Sequence, residues 1–292
     1  MLDDQKYTLA YKLQDVILAA GKIARDSFNS RIQVRSKSDG TPVTSVDYAI
    51  HEYLQTFCIN QDIGYLSEEG VGELDQDLIL YADPLDGTQS FVDGKPDFTV
   101  AISLMERIAG DRFRTLAAYI YQPMTDFLWK QVASDQTIVS NGADNGRYTE
   151  MRGPCGDTAN IAVVMPKKTA SGPARAGILE QIEFEPDLKF TYYGSTGYIG
   201  GLLTGGTVHA AIFGQEDAHE MAAVVPLVIG SRQGPAQSAG FVCDFDGKPV
   251  TEFTLERTGD QARFVVPNGI ICASTPHLAT RLLAMVKEEM PV

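Results

Sequence analysis

The sequence predicts an α+β protein: helically spaced apolar positions come first, short apolar runs bounded by turn residues follow, and strand-like and helix-like segments alternate through the second half. Leu9, Leu13, Val16, Ile17, Ala20, Ile23, Ala24 and Phe28 form the apolar stripe of one long amphipathic helix from about residue 4 to 28. After a polar, basic stretch from Arg31 to Pro42, Thr44 and Ser45 offer N-cap oxygens to a second helix carrying Ala49, Ile50, Tyr53, Leu54 and Phe57, with Asp47 in its first turn. Ile63 to Leu66, Leu78 to Ala82, Phe98 to Leu104 and Leu116 to Tyr121 read as strands, and Phe127 to Val132 pairs after the turn at Pro123.

Hydrophobic periodicity lapses between Ser140 and Asp157 and resumes at Ile161, which sets a boundary between an N-terminal half, residues 1–148, and a C-terminal half, residues 149–292. Beyond it come strand-like Ile161 to Met165, helix-like Ala174 to Ile182, strand-like Phe190 to Tyr193, a small-residue helix from Ser195 to Gly206, and strand-like Val208 to Phe213. A helix from about Asp217 to Ile229 follows; Phe264 to Ala273 and Pro276 to Glu289 close the chain as strand and helix. The glycines between Gly194 and Gly206 do not fit GxGxxG spacing and read as close helix–sheet packing.

Composition narrows the function. The chain has 292 residues, 44% hydrophobic and 21% charged, which suits a folded globular protein. Its net charge of −14 repels nucleic acid and anionic membrane surfaces. An anionic substrate therefore needs a positive partner in the site, and a divalent cation is the obvious one. No apolar run approaches the ~20 residues that cross a bilayer, and no secretory or transit signal is read at Met1 to Lys6, so the cytoplasm is the expected compartment. Cys58, Cys155, Cys243 and Cys272 are widely spaced without a CxxC pair, as reduced thiols are, and a zinc site is disfavoured.

The informative segment is Asp83-Pro84-Leu85-Asp86-Gly87-Thr88, directly after an apolar strand. Pro84 restricts Asp83 and Gly87 permits tight backbone geometry, so two carboxylates can converge, as hard cations such as Mg²⁺ require. Gly87 and Thr88 can open a helical turn whose N–H groups and hydroxyl hold a phosphate. Taken alone, the segment is equally readable as a surface turn. Ser67-Glu68-Glu69-Gly70 adds acids at the end of another strand, and Glu68, Asp83 and Asp86 together read as ligands gathered at strand ends.

These residues, with Pro42-Val43-Thr44-Ser45-Val46-Asp47, resemble the inositol monophosphatase family of magnesium-dependent, lithium-inhibited phosphatases. Met221-Ala222-Ala223, followed by Gly234 and Asp244-Phe245-Asp246-Gly247, is similar to the family's C-terminal motif, and Asn268 to Pro276 resembles its closing strand and helix entry. The resemblance implies a layered αβαβα sandwich, a homodimer and two or three Mg²⁺ ions per site. By position it implies that Glu68, Asp83 and the Leu85 carbonyl hold one metal and that Asp83, Asp86 and a C-terminal acid hold another. Gly87, Thr88 and Lys37 would bind phosphate. Thr88, Asp47 and Glu68 form the implied catalytic set, with the Thr88 hydroxyl paired to Asp47 and orienting the attacking water.

The pattern breaks in three places. His219-Glu220 stands where the family has Trp-Asp, which makes Glu220 the expected C-terminal ligand and Asp217 its rival, while His219, like His51, His209 and His277, is read as an ordinary packing or surface residue. Phe213 or Ile212, depending on a gap, falls where inositol enzymes carry an acid, and Gln89-Ser90 replaces a common Thr-Asn. The expected activity is Mg²⁺-dependent hydrolysis of a small polyol or sugar phosphate. The alternatives are a 3′(2′),5′-bisphosphate nucleotidase, favoured by Phe98-Thr99-Val100, a histidinol phosphatase of the same superfamily, and a non-catalytic metal-binding protein.

Overall fold

The computed structural model describes residues 3–37, 40–133, 137–141, 149–150, 161–166, 185–214, 218–233, 238–259, 261–265 and 268–289. The helix expected over Ala174 to Ile182 lies outside these, as do Cys155, Asp217 and Gly234. Helices α1 (Asp3–Ser27) and α2 (Ser45–Gln61) pack on one face of a ten-stranded sheet. After the short α3 (Thr88–Val92), helices α4 (Thr196–Thr204) and α5 (Ala218–Gly230) fill the space between that sheet and a second, five-stranded one. Helix α6 (Pro276–Glu289) covers the outer face of the second sheet. The layer order is therefore αβαβα.

Three buried clusters glue the layers. Leu13, Ile17, Ile50 and Leu54 pack with Leu80, Val100 and Tyr119 between the first helices and the large sheet. Tyr81, Ile120, Ile199, Val224, Ala211 and Cys272 fill the middle, and Ile212, Ile271, Leu278 and Leu282 seat α6. Burial of such side chains contributes roughly 1.5–3 kcal/mol each.

The fit of α1 is tight enough to dictate a glycine. A Cβ added at Gly21 would lie 2.1 Å from Tyr121 Cδ1. That ring is buried, and its hydroxyl donates to Asp126 Oδ1 at 2.5 Å, so it has little room to yield. Gly21→Ala should lower the melting temperature through an overpacking cost of about 1–3 kcal/mol, despite alanine's better helix propensity. An unchanged or raised thermal midpoint would contradict this seating.

Two sequence expectations change. The Asp83–Asp86 segment does not leave its strand: the strand runs Leu78–Asp86, buried at all nine positions, and its pairing with Thr99–Ala109 slips between Asp83 and Asp86 before resuming at Asp86 and Thr99. Pro84, lacking an N–H, sits within this irregularity. The run from Phe264 to Ala273 is two strands in different sheets: Gln261–Val265 pairs with Phe253–Thr258, and Ile270–Ala273 pairs with Ala210–Phe213. Asn268 and Gly269, which lead into the second of these strands, have positive φ, 54° and 92°. The Phe253–Thr258 strand also pairs with Arg112–Gln122, so a hairpin from the C-terminal half joins the first sheet. No helix among the described residues is long and apolar enough to cross a membrane.

Candidate metal centre and active site

The site begins where the large sheet delivers acids to one place. The Gly64–Ser67 strand runs parallel to Leu78–Asp86, with Ser67 opposite Ala82, and the Glu68 N–H donates to the Ala82 carbonyl at 3.2 Å. Asp83 and Asp86 follow on the central strand. Glu220, from the first turn of α5, completes a group in which one carboxylate oxygen from each of Asp83, Asp86 and Glu220 lies within 4.8 Å of the other two. All three residues are buried, at 2%, 4% and 8% exposure. Asp217, the rival to Glu220, lies outside the described residues.

Asp86 is held on both oxygens. Oδ2 accepts from Thr99 Oγ1 at 2.8 Å, Ser195 Oγ at 2.5 Å and the Gly197 N–H at 2.6 Å; Oδ1 accepts from the Thr196 N–H at 3.0 Å. The start of α4, N-capped by Ser195, thus clamps this carboxylate. Burial still pushes the Asp86 carboxyl above the ordinary range, against the pull of these donors. Asp83 is pushed up further, first by burial and then by the negative charges of Glu68, Glu220 and Asp86. Burial, then the charge of Glu220, also raises the Tyr81 phenol, whose hydroxyl lies 3.1 Å from His219 Nδ1.

Such a group fits a hard cation. Its donors are all carboxylate oxygens, and they repel one another at short range in a place that water does not screen. Lys37, the nearby cation that the sequence brings forward, is engaged elsewhere: its ammonium lies 2.8 Å from Glu68 Oε1 and 2.7 Å from Glu69 Oε1. Burial works against the Lys37 charge, but these two carboxylates outweigh it and hold the group well above its usual range. Burial raises the Glu69 carboxyl despite Lys37.

The phosphate-side residues assemble around α3. Gly87 is its N-cap at φ 86° and offers no side-chain cap to the first N–H groups. A Cβ at Gly87 would stand 2.9 Å from Ser195 Cβ and 3.1 Å from the Asp97 carbonyl, so both backbone conformation and space demand glycine. Thr88 Oγ1 lies 3.1 Å from Asp47 Oδ1 and 2.9 Å from the Leu85 carbonyl, and the Leu85 N–H donates to Asp83 Oδ1 at 3.0 Å. Asp47 reaches Thr88 from a capping box on α2, its Oδ2 accepting from the Thr44 N–H at 2.8 Å and Thr44 Oγ1 at 2.5 Å. Burial raises the Asp47 carboxyl in spite of these bonds.

Of the residues singled out from sequence, the structure brings Asp83, Asp86 and Glu220 together and joins Thr88 to Asp47. Glu68 is outside the three-carboxylate group and rests on Lys37, yet it is near enough to head the charges that raise Asp83. Phe213 and Ile212 are fully buried in the second sheet. Sequence reasoning did not single out the Asp86 clamp of Thr99, Ser195, Thr196 and Gly197. Its one local signal is Ser195 standing directly before a helical segment.

The profile of the inositol monophosphatase family matches residues 4–290. The chain is 25% identical over 244 residues to the bifunctional phosphatase IMPL2, chloroplastic, of Arabidopsis thaliana, a match covering 79% of this chain and 62% of that protein. It is 33% identical over 131 residues to the 3'(2'),5'-bisphosphate nucleotidase CysQ of Buchnera aphidicola, covering 41% of this chain and 49% of the relative. Matches thus span less than two thirds of the length of either relative. A solved inositol monophosphatase from Zymomonas mobilis shares the fold, with a TM-score of 0.70 at 21% identity over 98% of this chain and 99% of that one. With that profile running from α1 to α6 over the same layered fold, the chain belongs to the inositol monophosphatase family.

Proposed function

We propose that the chain is a magnesium-dependent phosphomonoesterase acting on a small polyol or sugar phosphate. The observation that carries this reading is the buried meeting of Asp83, Asp86 and Glu220 beside the uncapped start of α3. The family is metal-dependent, and these three carboxylates, with Glu68 and the Leu85 carbonyl, would hold two or three Mg²⁺ ions. Bound there, the ions supply charge neutralisation of the phosphate dianion, acidification of water and stabilisation of the leaving alkoxide.

The chain's own residues do the rest. The N–H groups of Gly87 and Thr88 donate to phosphate oxygens. Donation from the Thr88 hydroxyl to Asp47 Oδ1, 3.1 Å away, leaves the Thr88 oxygen free to accept from a water and orient it. Burial of Asp47, which raises its proton affinity, suits it to receive a proton along this path. Lys37 offsets the charge of Glu68 and Glu69 and supports the anionic substrate less directly. On the same family reading the enzyme is a lithium-inhibited homodimer of the cytoplasm.

A second reading, a 3′(2′),5′-bisphosphate nucleotidase, is favoured by the relative of that name and by the apolar Phe213 and Ile212 where inositol enzymes carry an acid. Parallel assays with inositol 1-phosphate, histidinol phosphate, fructose 1,6-bisphosphate and 3′-phosphoadenosine 5′-phosphate separate the two. The expected result is phosphate release from at least one of them that needs Mg²⁺ and stops on chelation. Release from none, with Mg²⁺ present, would favour a non-catalytic metal-binding protein.

A further inference from the structure

Asp47 and His51 are four residues apart on α2, so their side chains leave the same face of the helix. Asp47 reaches forward to Thr88. His51 reaches the other acidic loop: its Nδ1 lies 2.8 Å from Ser67 Oγ, the residue directly before Glu68. Ser67 Oγ also accepts the Glu69 N–H at 3.2 Å, so the serine hydroxyl spans the turn that carries both glutamates. Tyr65 donates its hydroxyl to the His51 carbonyl at 3.3 Å. Gly70 closes over the ring, where a Cβ would stand 3.0 Å from His51 Cε1. With the imidazole neutral and its proton assigned to Nε2, the Ser67 hydroxyl donates to Nδ1 at 2.8 Å while accepting from the Glu69 N–H; the Gly70 carbonyl, at 3.4 Å, is the longer alternative for the same proton.

We infer that His51 is a positioning residue for the Glu68 arm of the metal centre, acting through Ser67. Helix α2 then works as a rigid spacer that fixes the water-orienting Thr88 from its first turn and the glutamate-bearing turn from its second. The inference rests on the phosphatase reading for its purpose, but its geometry concerns metal affinity and is testable without turnover.

The test is calorimetric titration of Mn²⁺ into the wild type, His51→Ala, His51→Asn, Ser67→Ala and the His51→Ala/Ser67→Ala double variant, with thermal melts of each. Groups bonded directly to metal ligands typically change affinity by roughly 10–100-fold, and Ser67 and His51 act one step further out, through the turn that carries Glu68, so the lower end of that range applies. Each alanine variant should weaken Mn²⁺ binding by about that factor, and the double variant no further than the weaker single, because the two residues form one link. Asparagine, whose side-chain oxygen can stand near the Nδ1 position, should recover most of the loss. Wild-type Mn²⁺ affinity in both single alanine variants, additive losses in the double, or no recovery by asparagine would each overturn the inference. A wild type that binds Mn²⁺ yet releases phosphate from no substrate would defeat the phosphatase reading alone, and the affinity series would still decide the role of His51.

Discussion

Asp83→Asn should lower Mg²⁺-supported phosphate release by more than roughly 100-fold, beyond what the loss of a residue that only hydrogen-bonds to a metal ligand typically costs, while leaving the protein folded. Asp83 shares a buried group with Asp86 and Glu220, and its own carboxyl is pushed up by burial and then by Glu68, Glu220 and Asp86. Asparagine preserves shape and can still accept the Leu85 N–H now 3.0 Å from Asp83 Oδ1, so the local backbone has no reason to rearrange. What it removes is the negative charge that makes this place attractive to a cation. Glu220→Gln should act in the same direction, and wild-type activity and magnesium dependence in that variant would remove Glu220 from the ligand set. Lys37→Gln should cost less, since the ammonium rests on Glu68 and Glu69 and not on the three-carboxylate group. The check is initial-rate phosphate release at saturating Mg²⁺, with folding monitored in chelator; activity of Asp83→Asn within tenfold of wild type would contradict the assignment.

The second large effect is on stability, and its sign follows from the same crowding. Asp83, Asp86, Asp47 and Glu69 all have carboxyls raised in the folded state, burial being the leading cause in each. A carboxyl raised on folding holds more protons folded than unfolded. Its contribution is therefore most favourable below the ordinary carboxylate range, near pH 4, and falls as pH rises through the folded-state value. Metal-free protein should lose this contribution on going from pH 5 to pH 8. Magnesium reverses the trend because it favours the ionised carboxylates: an ion at 100 times its Kd adds about 2.7 kcal/mol. The rise in melting temperature caused by Mg²⁺ should thus be several degrees at pH 8 and much smaller at pH 5. Asp83→Asn should flatten the metal-free pH dependence and abolish most of the Mg²⁺ effect. Thermal melts with and without Mg²⁺ across this range test it, and an equal Mg²⁺ effect at pH 5 and pH 8 would refute it.

Features encoded by neighbouring residues were legible. The Phe127–Val132 strand and the Pro276–Glu289 helix fall where alternation and helical spacing place them, and the Thr44 cap before α2 follows from residue type. The Asp83–Asp86 segment misled because Asp, Pro and Gly are turn formers, whereas nine buried positions and a local slip in register keep it inside a sheet. The break at Asn268 and Gly269 falls on an Asn-Gly pair, a turn signal that the apolar run on both sides outweighed in the reading of one continuous strand. The site was legible as a set of ligand-type residues and illegible as a set of contacts. Nothing local ties Ser195, Thr196 and Gly197 to Asp86, more than a hundred residues away, or commits Lys37 to Glu68 and Glu69. Those pairings exist because α4 begins at the sheet end where Asp86 emerges and because the glutamate turn follows a strand parallel to the central one. Residues 1–148 and 149–292 remain our proposed halves, bridged by the hairpin that lends Phe253–Thr258 to the first sheet.

Calorimetric titration of Mg²⁺ into the wild type and Asp83→Asn, at pH 7.5 and matched ionic strength, bears on whether Asp83, Asp86 and Glu220 form a cation site. Saturable binding by the wild type that disappears in a variant with an intact melting transition is the predicted result. Equal binding by both proteins, or none by the wild type at millimolar Mg²⁺, would contradict it.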